Sequence, residues 1–123
     1  YSTQMLLMGG LMTLGIFSGL TIYAWQTKID YTKYGNYLLA CLLGLIIFGF
    51  FATFIHIPFS HIIYSSIGTI LFSFYIIYDT QLIIGGENKF QYTTDDFAIA
   101  SISLYLDIIN LFLFIMDLLN GRQ

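Results

Sequence analysis

Charge is what this sequence has least of: 9% of its 123 residues are charged, against 58% hydrophobic. A soluble globular domain carries roughly 25% charged residues, so this chain lacks the polar groups to cover a water-facing surface, and its mean hydropathy is +0.81. Only four residues are Lys or Arg and the net charge is -3, which argues against nucleic acid as a partner. The single cysteine, Cys41, excludes an intramolecular disulfide, and its place in an apolar run reads as packing. There is no Ser/His/Asp set, no phosphate-cradling glycine loop and no His-Glu-x-x-His motif, so no enzyme is expected and no cofactor is implied. His56 and His61 flank the only proline, Pro58, but two histidines without a third ligand make no metal site. Alternating strand patterns are also missing, which sets aside a transmembrane barrel.

What the sequence has is four long apolar runs: Met5 to Trp25, Tyr37 to Ile55, His61 to Ile84 and Phe97 to Leu119. Each is roughly 19 to 24 residues, the length that crosses a hydrocarbon core of about 30 Å as a helix. The first run is longer than a signal-peptide core and has no basic start, so it reads as a span rather than a leader. The expected fold is an all-α integral membrane protein, a bundle of four transmembrane helices forming a single membrane domain over residues 1–123. The breaks are the Gln26–Asn36 stretch, the Pro58 turn, and Gly85–Asp96, where paired glycines suit a helix end and Thr93 to Asp96 suit the next helix start. Lys28, Lys33 and Lys89 fall in the first and third loops, which places those loops on the cytoplasmic side, and Trp25, Tyr31, Tyr34, Tyr37 and Tyr92 cluster there as an interfacial belt. In the first helix Gly15 and Gly19 form a GxxxG spacing that allows close helix packing.

Two aspartates lie inside apolar runs, Asp79 in "FSFYIIYDTQLIIGG" and Asp107 in "SLYLDIINLFLFIMDLL". Each ionised Asp at mid-membrane costs about 2.5–3.5 kcal/mol on insertion scales, so a chain with two needs a partner, a water-filled cavity or protonation for them. Counted from the shared loop, Asp79 sits roughly 9 Å and Asp107 roughly 15 Å into the membrane, and antiparallel neighbours could bring them together. A shared site would make them a coupled pair holding one proton near neutral pH, and carboxylates are oxygen ligands of the kind Ca²⁺ prefers. Ser103, Asp107 and Asn110 share a face of the fourth helix; Tyr75 and Asp79 share one on the third, with the Tyr75 hydroxyl able to bond the carboxylate. The plain alternative is that each Asp bonds nearby backbone, hydroxyls or a partner subunit and only stabilises packing. Asp117, in the last turns, reads as solvated.

"YDTQLIIGG" followed by "YTTDDFAIASISLYLDIINLFLFIMDLL" closely resembles the C-terminal end of the transmembrane Bax-inhibitor-motif family, which includes the Bax inhibitor and Lifeguard proteins, and "LTIYAWQTKIDYTKYG" resembles an earlier helix end in the Lifeguard branch. The resemblance implies the last four helices of a six- or seven-helix bundle, incomplete on the N-terminal side. It implies a pH-sensitive Ca²⁺ leak channel linked to Ca²⁺ homeostasis and cell-death control, gated by an aspartate pair that maps to Asp79 and Asp107, with Ca²⁺ as the transported ion. It also implies an intracellular membrane: endoplasmic reticulum, Golgi or mitochondrial inner membrane. A basic residue on an early family helix has no counterpart inside these four spans. The competing expectation is a non-catalytic accessory subunit of a larger membrane assembly, with lipid, other membrane subunits or the missing N-terminal helices as partners.

Overall fold

The computed structural model describes residues 2–55, 60–84 and 94–120, with side chains from residue 98 onward in the last helix. Four helices carry the described residues: α1 (Thr3–Gln26), α2 (Gly35–Phe54), α3 (Ser60–Ile84) and α4 (Thr94–Asn120), with a 3₁₀ turn at Tyr31–Tyr34 leading into α2. All four contain segments long and apolar enough to cross a membrane, and the described residues include no strand. The expected spans are therefore present, each shifted by up to three residues at its ends. The expectations for His56, Pro58, Lys89, Tyr92 and the Gly85–Asp96 loop fall outside the described residues or side chains.

Local chemistry explains the boundaries. Ser2 caps α1 by accepting from the Met5 N–H at 3.2 Å, and the helix ends as the Thr27 N–H donates to the Tyr23 carbonyl at 2.8 Å. Asp30 caps the 3₁₀ turn, accepting from the Thr32 N–H at 3.1 Å and from the Thr32 hydroxyl. Thr13, Thr21, Thr53, Thr69 and Ser73 each return their hydroxyl to the carbonyl four residues earlier, so these polar groups sit within apolar helices without an unmet donor.

The third helix is the axle. It packs against α1, α2, α4 and the 3₁₀ turn, whereas α2 touches neither α1 nor α4 among the described residues. Side-chain pairs fix the directions: Ser65 with Asp117 and Gly68 with Phe114 run α3 antiparallel to α4, and Gly35 with Tyr78 and Gly49 with Tyr64 do the same for α2 and α3. Phe72, Ile76, Leu111 and Ile115 form the buried core of the α3–α4 seam, covered by Ile16, Phe17 and Leu20 of α1 and Leu42 of α2. The outward faces of α1 and α2 stay apolar; Leu11 and Tyr37 are each 70% exposed, a surface that suits lipid and not water.

Close approach between the described helices is made at glycines. A Cβ on Gly68 would lie 2.6 Å from the Phe114 ring, one on Gly35 2.6 Å from the Tyr78 hydroxyl, and one on Gly9 would collide with the Met116 sulfur. Gly15 and Gly19 lie on the exposed side of α1, where a Cβ would meet nothing within 4 Å. Their spacing matches a packing motif, but the face of α1 turned to α3 and α4 carries Gly9, Thr13 and Ala24 instead.

Candidate functional site

Asp79 and Asp107 meet. Antiparallel packing sets the two residues within about one turn of each other along the α3–α4 seam, where their carboxyl groups lie against one another and line the same cleft. Asp79 is 4% exposed and Asp107 6% exposed, among apolar neighbours. Two carboxyl groups this close in an apolar seam repel when both are ionised and can bond when one carries a proton. One oxygen of each, Oδ2, is buried with no hydrogen-bond partner among the described residues. Orphaned buried acceptors are uncommon and call for an explanation such as an ion, water or a functional role.

Both aspartates line a cleft of about 450 Å³ between α2, α3 and α4. Its walls are mostly apolar, from Leu42, Phe72, Leu82 and Ala100, with Tyr75, Ser103 and Asn110 as further polar groups. Because α2 and α4 do not touch, the cleft opens between them. The expected polar face is thus gathered at one site, with a difference in its bonding. Among the described residues the Tyr75 hydroxyl makes no hydrogen bond to either carboxyl, and the Asn110 amide donates to the Leu106 carbonyl of its own helix at 2.8 Å. No group of three His, Cys, Asp or Glu side chains comes together among the described residues. Ca²⁺ takes six to eight oxygen ligands, so two carboxylates alone would hold it only weakly, with most of its hydration kept.

Two further polar contacts escape the sequence reading. Gln81 is fully buried and saturates its amide: its Oε1 accepts from the Tyr31 N–H at 2.7 Å, and its Nε2 donates to the Ile29 carbonyl at 2.9 Å and the Ala24 carbonyl at 3.3 Å. One side chain thereby ties the end of α1 and the 3₁₀ turn to α3, two residues beyond Asp79. The visible signal was an amide within an apolar run; its partners were some fifty residues away in sequence. Asp117 is half-buried and accepts from the Ser65 hydroxyl, itself 1% exposed, which corrects its reading as a solvated residue. Of the charged residues outside the site, Lys28 and Lys33 are exposed, and His61 is exposed at the far end of α3.

Comparison with known proteins gives a consistent picture. The family model described as "Inhibitor of apoptosis-promoting Bax1" matches residues 1–123. Lifeguard 4 of Mus musculus is 38% identical over 121 residues, covering 98% of this chain and 49% of that protein. Bax inhibitor 1 of Schizosaccharomyces pombe is 33% identical over 124 residues, covering 100% of this chain and 45% of its own length. The Golgi anti-apoptotic protein of Vaccinia virus (strain Lister) is 35% identical over 119 residues, 97% of this chain and 48% of that protein. The chain spans about half the length of the curated relatives it matches.

Proposed function

Because the chain belongs to the family of inhibitors of apoptosis-promoting Bax1, we propose that it supplies the aspartate gate of a pH-sensitive Ca²⁺ leak channel of an intracellular membrane, acting in Ca²⁺ homeostasis and cell-death control. One observation carries this reading: two touching, buried carboxyl groups, each with an orphaned oxygen, on a cleft between membrane-crossing helices. Ionisable groups inside spans typically mark an ion or proton pathway.

The gate works through the shared proton. With it in place, the two carboxyl groups bond each other and hold α3 against α4. Without it, two like charges are left in contact; at a separation of about 4 Å and an effective dielectric of about 20 they repel by about 4 kcal/mol. The α3–α4 seam therefore has different energies in the two protonation states, and a hydrated cation passing the cleft meets a different charge in each. Conduction needs binding weak enough to release the ion, which two carboxylates without a full ligand shell provide. Closing the cleft toward lipid falls to further helices of the longer protein, as the lengths of the relatives suggest. An intracellular membrane agrees with the name of the Vaccinia virus relative, a Golgi anti-apoptotic protein.

The test is Ca²⁺ flux from vesicles reconstituted with the full-length protein, followed over a range of pH. Asp107→Asn keeps the size and hydrogen-bonding capacity of the side chain but removes the shared proton. The expected result is a changed flux with its pH dependence flattened, and Asp79→Asn should behave alike. Unchanged flux and an unchanged pH profile in both would refute the gate and favour an accessory role in a larger membrane assembly.

A further inference from the structure

We propose that the groove between α2 and α3 binds an acyl chain of an anionic phospholipid whose headgroup is held at the turn carrying Lys28 and Lys33. The groove is about 550 Å³, walled by Leu38 and Cys41 of α2 and by Ile70 and Phe74 of α3. Tyr31 and Tyr34 of the 3₁₀ turn close it at the membrane-interface end. Along α3 its lining runs from Phe74 to Ile67, roughly 10 Å of helix, which is the reach of the upper part of an acyl chain and not of a headgroup. Its lining shares no residue with that of the aspartate cleft, where Leu42 is the α2 residue that takes part. The inference therefore stands apart from the channel reading.

The occupant follows from charge and place. The deep lining is apolar, whereas the rim carries cations: Lys33 Nζ sits 5.6 Å over the Tyr34 ring, and Lys28 immediately precedes Ile29, a groove residue. Among the described residues that turn carries two exposed lysines against one acidic group, Asp30, whose carboxylate caps Thr32. An apolar slot under an aromatic and basic rim, in a helix that crosses the bilayer, is complementary to a lipid with a net negative headgroup. Lysines near the surface of an anionic leaflet attract such lipids, and the lysine placement of the chain puts this rim on the cytoplasmic side. The second helix gives the lipid a structural part to play, because among the described residues it packs only on α3 and the 3₁₀ turn.

The experiment uses the full chain with phosphatidylserine or phosphatidylcholine of identical acyl chains. Lipid retention is read by native mass spectrometry, and contact by a benzophenone attached to Cys41, which is exposed on the groove wall. Phosphatidylserine should be retained in preference, Cys41 should cross-link to it, and K33Q should reduce the preference about fivefold, the factor one interfacial lysine carries. L38W, which fills the groove, should abolish the cross-link while circular dichroism shows the helices intact. Equal retention of the two lipids, a preference that K33Q leaves unchanged, or cross-linking to protein in place of lipid would each overturn the proposal; the last would mean that another segment of the protein occupies the groove.

Discussion

Replacing Gln81 by Met would test the hydrogen-bonding logic of the bundle most directly. The two side chains have similar length, so packing is nearly preserved and the change is mainly the loss of the amide. Three bonds disappear, two well formed at 2.7 and 2.9 Å and one long at 3.3 Å. If the backbone groups found other partners, as polar groups in membranes often do, each bond would be worth about 0.6 kcal/mol and the total under about 2 kcal/mol. Gln81 and Ala24 are fully buried, however, and Tyr31 is partly so, so the Tyr31 N–H and Ala24 carbonyl have no ready substitute; a buried orphan costs about 1–3 kcal/mol each. The second effect should win, giving a loss of about 2–4 kcal/mol. The assay is reversible unfolding in mixed micelles, with Asn110→Leu as a control, since its amide serves only its own helix and its loss should cost about 1 kcal/mol or less. A loss below about 1 kcal/mol for Q81M, or one no larger than that of the control, would refute the reasoning.

Other substitutions test other links. Gly68→Ala would place a Cβ 2.6 Å from the Phe114 ring, so overpacking should lower stability by about 1–3 kcal/mol, seen as a lower Tm in detergent. Gly15→Ala meets nothing within 4 Å and should be neutral or stabilising by about 0.5–1 kcal/mol, since alanine is the better helix residue; equal effects at the two glycines would contradict the packing described. Ser65→Ala removes the donor to Asp117 and should cost about 1–3 kcal/mol, measured by the same unfolding assay. Asp117→Asn, which can still accept from Ser65, should cost less.

The aspartate pair was legible because it violates the environment around it. An ionisable group in an apolar run of membrane-spanning length is costly wherever the helix is placed, so Asp79 and Asp107 declared themselves before any partner was known. Antiparallel order and similar depth then followed from counting residues. Gln81 broke the same pattern more mildly, as an uncharged amide, and nothing local told which of many distant backbone groups it would meet. Gly15 and Gly19 show what a spacing leaves open. A spacing states which residues share a helix face, not which way that face turns, and α1 turns Gly9, Thr13 and Ala24 inward.

By itself, then, the sequence determined the solvent, the four spans and the two carboxyl groups needing a partner, because transfer of apolar and charged groups between water and hydrocarbon depends on composition and length alone. Only the tertiary structure decided that α3 is the axle, that α2 stands off from α4 to leave the cleft open, and that Ser65 holds Asp117. Those outcomes depend on helix rotation and on which side chains interlock, such as Phe114 against Gly68 and Tyr78 against Gly35. In a nearly uniform apolar sequence, many rotations bury similar area, and the choice among them falls to these close contacts.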